Sequence, residues 1–175
     1  MPKVISEKTV FSTKHLHVNE TKVKLSSNEI ATYHYLHLGE SAMMVPINEN
    51  GEVLLIREYF QTLDQVQLSL PKGRIEEGHS ALQTANKELQ EEIGYKAEKL
   101  DKLGVFTVAP GYVKLKTHVF LAQDLKKSKL EGDWDEEIEL VSTPLSEIDN
   151  LIENGEITEA RVIAALFLAR RHLYR

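Results

Sequence analysis

Three glutamates, Glu88, Glu91 and Glu92, crowd into one short stretch of residues 73–95, GRIEEGHSALQTANKELQEEIGY. Leu82, Ala85 and Leu89 recur there at spacings of three and four, which predicts an amphipathic helix over residues 80–93. Ser80 is suited to its N-cap, and Gly94 to the left-handed residue that ends it. At about 100° per residue, Glu91 and Glu92 fall roughly 60° and 40° to either side of Glu88, so the three carboxylates share one face. Like charges so placed cost a helix roughly 0.2–0.5 kcal/mol per pair. A hard divalent cation such as Mg²⁺, which takes carboxylate oxygens, water and substrate phosphate, turns that repulsion into ligation. Taken alone, the pattern also describes a solvated helix face, with Lys87 pairing to Glu91 in the weaker i,i+4 orientation.

Other residue types bear on the same chemistry. Arg57 offers a planar fork of donors suited to a phosphate or a ribose, or it is a surface arginine at a strand end. Tyr112 and Trp134 present rings that can stack on a base. Lys114 and Lys116 flank Pro110 and can reach phosphates, although exposed lysines are common. The acidic run at residues 131–137 supplies further carboxylates or forms a solvated turn. His15 and His17 share a strand face without partners nearby and read as surface histidines. No GxGxxG, GxxxxGK[ST] or HExxH pattern occurs, which argues against dinucleotide-fold, P-loop and zincin sites.

The elements that must position these residues alternate in type. Residues 10–18 and 29–38 read as strands, followed by 42–47, the turn Asn48-Glu49-Asn50-Gly51 and a strand over 53–59. This is a hairpin signal, because Asn-Gly favours positive φ. Residues 66–70 form another strand before Pro71. Beyond the carboxylate helix, strands are expected at 103–108, 118–122 and 138–141, and helices at 145–153 and 159–173. Strands flanked by helices predict an α+β domain. With 175 residues, 42% of them hydrophobic, the chain can bury one sizeable core. Its formal charge of −6 argues against a dedicated nucleic-acid binder. The start is polar and no apolar run is long enough for a membrane span, which predicts no membrane association. Cys is absent, which removes disulfides and thiolate chemistry and fits a cytoplasmic setting.

The frame around the glutamates resembles the Nudix box, Gly-x5-Glu-x7-Arg-Glu-U-x-Glu-Glu-x-Gly-U, with U bulky and aliphatic. Gly73, Glu88, Leu89, Glu91, Glu92 and Gly94 fall in register, and Tyr95 takes the last U position. Two positions depart from the pattern: His79 stands where it has Glu, and Lys87 where it has Arg. In the family those side chains pair and brace the loop against the helix. Here the bracing is expected to change while the chemistry is retained. Outside the box, Pro110 follows Tyr95 by fifteen residues, as in ADP-ribose pyrophosphatases of this superfamily. The runs Leu55-Ile56-Arg57-Glu58-Tyr59, Pro71-Lys72-Gly73 and Leu121-Ala122-Gln123-Asp124-Leu125, with Glu159-Ala160-Arg161, look like its ADP compounds hydrolase branch.

The resemblance implies a Nudix fold, a mixed β-sheet sandwiched between helices, with a small N-terminal β segment. It divides the chain into residues 1–40, a dimerisation or swap element, and 41–175, the hydrolase domain. It implies a homodimer without nucleic-acid partners. The implied activity is Mg²⁺- or Mn²⁺-dependent hydrolysis of the pyrophosphate bond of ADP-ribose and related ADP compounds, such as NADH and diadenosine polyphosphates. Glu88 and Glu92 would be metal ligands, Glu91 a ligand or the group orienting water, and the carbonyl of Lys72 a backbone ligand. Glu136 matches a further metal-site glutamate, while Trp134 stands where the family often has its proposed general base. Arg57, Pro110 and Tyr112 would contact substrate, and Phe60 stands where a second arginine is frequent. Two alternatives remain open: a catalytically impaired nucleotide-binding module, and a hydrolase of another nucleotide sugar such as GDP-mannose.

Overall fold

The computed structural model describes residues 1–14, 16–131 and 138–175, so His15, Trp134 and Glu136 lie outside it. The chain forms two compact units, Met1–Glu40 with Thr107–Lys116, and Ser41–Phe106 with Thr117–Arg175. Strands β3 (Ile30–Pro46) and β8 (Val113–Lys127) contribute residues to both.

In the first unit, β1 (Lys3–Ser12) pairs antiparallel with β2 (His17–Lys24), and β2 pairs antiparallel with β3. The single strand expected over residues 10–18 is therefore the end of β1, a turn and the start of β2. No glycine, proline or asparagine marks the turn. Thr13 makes it instead: its N–H donates to the Leu16 carbonyl at 2.9 Å, and its hydroxyl accepts the Leu16 N–H at 3.1 Å. Every residue of β1 is exposed, including Val4, Ile5, Val10 and Phe11.

The second unit holds the core. Residues 42–46, expected as part of a separate strand over 42–47, continue β3 past Gly39, which takes a φ of +79°, and Ile47 makes only an isolated bridge. Beside the last part of β3 lie β6 (Lys72–Arg74) and β8, and β8 pairs antiparallel with β7 (Tyr95–Phe106). A three-stranded sheet has the order β5 (Gln65–Ser69), β4 (Glu52–Phe60), β9 (Leu140–Pro144). The Asn48–Gly51 turn forms, with Gly51 at φ +78° and the Asn48 side chain accepting the N–H groups of Asn50 and Glu52. It does not head a hairpin ladder. The flanking strands share only the Ile47–Val53 bridge before joining different sheets. Turn chemistry sets the reversal, while the pairing of β4 with β5 and β9 is settled by tertiary packing.

Both faces of the central strands are buried, so alternation sorts residues between two cores. Met43, Val45, Leu55, Val119 and Leu121 pack with Ile148 of α2 (Ile148–Glu153) and with Val162, Ala165 and Leu166 of α3 (Ala160–Leu173). Ala42, Met44, Leu54, Ile56 and Phe120 pack with Ala85 and Leu89 of α1 (Ala81–Glu92). The result is an α+β fold with strands layered between helices. No helix among the described residues is long and apolar enough to cross a membrane.

Helix α1 departs from its apolar stripe in one respect. Thr84, Ala85 and Leu89 are buried, while Leu82 is 51% exposed. Periodicity gives the direction a side chain points, not how far the covering layer extends, and the first turn projects beyond its cover. Leu89→Ala should therefore cost about 2–5 kcal/mol in urea unfolding. Leu82→Ala, despite lying on the same stripe, should change stability by less than about 0.5 kcal/mol.

Candidate active site

The start of α1 is set by a capping box: Ser80 Oγ accepts the Gln83 N–H at 3.3 Å, and Gln83 Oε1 accepts the Ser80 N–H at 2.9 Å. Its end is set by Gly94 at φ +75°, which turns the chain directly into β7. Asn86 staples helix to strand, donating to the Ala97 carbonyl at 3.2 Å and accepting the Ala97 N–H at 2.8 Å. Nothing in the spacing of Asn86 signals this role, because its partner belongs to another element.

So held, α1 presents its carboxylates to β6. The main-chain N–H of Lys72 donates to Glu92 Oε2 at 2.9 Å. One residue along, the carboxylate of Glu88 lies so close to Gly73 that a Cβ there would sit 1.9 Å from its Cδ. Gly73 is thus a glycine because the Glu88 head group occupies the place of a side chain, and its backbone has no need of a left-handed conformation. Glu88 and Glu92, one turn apart, flank the main chain of Lys72 and Gly73.

Burial pushes the Glu92 carboxyl up from 4.5 to about 8, and repulsion from Glu88 and Glu58 adds to the rise. The Lys72 N–H and ammonium oppose it but do not cancel it. The ammonium itself pairs with Glu58 of β4 and donates to Ser69 Oγ at 3.1 Å. Glu58 had no signal in the sequence, since only the adjacency of β4, β5 and β6 brings it here.

The other expected residues are placed as follows. Glu91 lies 3.6 Å from Lys87, the i,i+4 pairing foreseen for a plain helix face. His79 Nδ1 stands 4.0 Å from Glu76, so each departure from the box has a carboxylate neighbour. Arg57 donates from Nε to Glu139 at 2.9 Å. Pro110 and Tyr112 belong to the first unit, where Pro110 lines a cleft of about 530 Å³ with Tyr33, Tyr35, His37 and Lys114. Tyr112 is 74% exposed, and its carbonyl accepts the Leu36 N–H at 2.8 Å. The expectation for Glu136 lies outside the described residues.

The donor set fits a hard divalent cation. Among the described residues no three carboxylate or imidazole groups are gathered into a finished cage. Mg²⁺ does not need one, since it takes one or two carboxylates and fills the rest of its octahedron with water and phosphate oxygens. The physical sign of fit is the charge deficit: a buried carboxyl with two carboxylate neighbours is held protonated until about pH 8.

That deficit has a consequence for stability. With metal absent, the folded protein keeps the Glu92 proton that the unfolded chain releases above its ordinary 4.5, so stability falls as pH rises from there to about 8. Urea unfolding in chelator should show this decline for the wild type. Glu92→Gln should flatten it, leaving the variant the more stable protein at pH 8. A decline of equal steepness in the variant would contradict the assignment.

The sequence pattern of the NUDIX domain matches residues 37–166. Over 174 residues the chain is 34% identical to the "ADP compounds hydrolase NudE" of Escherichia coli strain K12, covering 98% of this chain and 93% of that protein. It is 28% identical to the "ADP-ribose pyrophosphatase" of Bacillus subtilis strain 168, covering 94% and 90%. It is 30% identical to a "GDP-mannose pyrophosphatase" of Yersinia enterocolitica over a smaller span, 77% and 75%. A crystal structure of an ADP compounds hydrolase superposes with a TM-score of 0.89 at 34% identity, covering 99% of this chain and 94% of that one. With the box in register, Glu88 and Glu92 brought against β6 and the fold shared, the chain belongs to the Nudix family.

Proposed function

We propose that this protein hydrolyses the pyrophosphate bond of ADP-ribose and related ADP compounds, NADH and diadenosine polyphosphates among them, to AMP and a phosphorylated product. One observation carries the reading: Glu88 and Glu92 flank the Lys72–Gly73 main chain, with Glu92 buried and short of positive charge. Relatives named for ADP compounds and ADP-ribose match nearly the full chain, and the GDP-mannose relative matches less of it.

Nudix hydrolases generally need divalent cations, and the fit here is to Mg²⁺ or Mn²⁺. Glu88, Glu92 and the Lys72 carbonyl are the proposed ligands, with Glu91 as a ligand or the group that orients water, and Glu136 as a further carboxylate. When bound, such a cation neutralises the diphosphate and makes water a better nucleophile. Water adds to one phosphorus, the bridging P–O bond breaks, and ADP-ribose yields AMP and ribose 5-phosphate. The protein's share is positioning and charge compensation. The Lys72 N–H fixes Glu92, Gly73 admits the Glu88 head group, and the Asn86 staple fixes the helix that carries both.

Arg57 is the proposed grip on a phosphate or the terminal ribose, released from Glu139 when substrate arrives. Tyr112 offers an exposed ring for adenine, and Pro110 lines the cleft of its own unit. Residues 1–40 are proposed as a dimerisation segment of a cytoplasmic homodimer, the hydrolase domain being residues 41–175. The fully exposed β1, with Val4, Ile5 and Phe11 bare, supports a second copy as its cover.

Incubated with Mg²⁺ or Mn²⁺, the protein should release AMP from ADP-ribose, read by chromatography. Binding without turnover, with both metals and at alkaline pH, would instead make it a nucleotide-binding module. Turnover confined to GDP-mannose would change the substrate class. Gly73→Ala should keep the fold, because the atoms displaced are the far end of the flexible Glu88 side chain. It should still lower turnover by about 100-fold, the usual cost of ångström-scale misplacement. Near-normal turnover in that variant would remove Glu88 from the site.

A further inference from the structure

Lys72 joins three elements through one residue. Its main-chain N–H donates to Glu92 of α1 at 2.9 Å. Its ammonium pairs with Glu58 of β4, donates to Ser69 Oγ at the end of β5 at 3.1 Å, and lies 5.5 Å from the centroid of the Phe60 ring. The side chain is only 18% exposed and that of Glu58 28%, so the pair is held in partly desolvated surroundings where its geometry is less free than on an open surface. Strand β6 is three residues long and, among the described residues, its strand partner is β3, over Ser41–Arg74 to Met43–Lys72. The peptide that carries the Lys72 N–H is also tied to β3 through the Pro71 carbonyl, which accepts the Met44 N–H at 2.9 Å. The side chain provides a further anchor, to β4 and β5.

We propose that the Lys72 side chain is a positioning residue for the diphosphate site: by clamping Glu58 and Ser69 it holds its own peptide N–H where Glu92 needs it. This rests on the functional reading above, and adds to it a pair of residues outside the Nudix box. Charge alone makes a different claim. Removing the ammonium would leave Glu58 as an extra negative charge beside the cluster and tighten cation binding. Removing the Glu58 charge would leave the ammonium unpaired and weaken it. A clamp gives both changes the same sign, because either one frees the Lys72 peptide.

The experiment is a double-mutant cycle on Lys72→Met, Glu58→Gln and the two together, with Mn²⁺ binding measured by calorimetry and Lys72 amide exchange measured in chelator. The clamp predicts that each single variant weakens Mn²⁺ binding roughly tenfold or more, the range for groups that orient metal ligands. It predicts that the double variant binds no more weakly than either single one, and that the Lys72 amide exchanges at least about tenfold faster in all three. Opposite signs in the two single variants, with the double variant close to wild type, would overturn it, as would unchanged amide exchange. If a single variant fails to fold, the charge-balanced double variant still reads both quantities. Wild-type protein that binds no Mn²⁺ would defeat the functional reading instead, while the exchange measurement, made without metal, would still judge the clamp.

Discussion

The hydrogen bond from the Lys72 peptide to a buried carboxyl, Glu92, is the contact on which the proposed cation site depends. Burying a carboxyl with one main-chain donor and two carboxylate neighbours is unfavourable, and the fold answers it by keeping the proton on until about pH 8. Everything around the contact serves to keep it in place. The capping box fixes where α1 starts, Gly94 where it stops, and Asn86 how it lies along β7. Gly73 leaves room for Glu88 one turn back. In the proposed reading, a local loss of stability in the metal-free state goes with function, because the same crowding of charge would attract a cation.

The two departures from the Nudix box become intelligible in this frame. An arginine–glutamate pair would brace the loop to the helix, and here His79 and Lys87 stand beside Glu76 and Glu91 instead. The helix does not rely on that brace alone. Its capping box uses uncharged hydrogen bonds, and Asn86 fastens its middle to Ala97. Lys87 also lies on the face that carries Glu91, so it offsets part of the repulsion among the three glutamates.

The first unit follows different rules. Its strands are polar on both faces over long stretches, so alternation is a poor guide to where a strand ends. The network that orders it joins Tyr35, Glu7 and Asn19: the Tyr35 hydroxyl donates to Glu7 at 2.5 Å, and Asn19 donates to Glu7 at 3.2 Å. These bonds hold the Glu7 carboxyl below the usual carboxylate range, the Tyr35 contact contributing most. Such long-range polar pairing leaves no periodic trace, and the β1–β2 turn at Thr13 carries no glycine, proline or asparagine to mark it.

Local geometry made the shared carboxylate face legible, while the resemblance to the Nudix box carried its chemistry. The 3.6-residue repeat puts Glu88, Glu91 and Glu92 on one face, and the flanking Ser80 and Gly94 mark the helix ends, because each depends only on residues a turn or so away. The same is true of the Asn48–Gly51 reversal. Tertiary structure alone decided which glutamate is buried and that Arg57 meets Glu139. It alone brought in Glu58 and Asn86. Lys72 meets Glu58 across 14 residues and Glu92 across 20, separations at which spacing carries no information. Those partnerships arise from how sheets and helices stack, and stacking is set by the sum of many apolar contacts rather than by any pattern near the residues concerned.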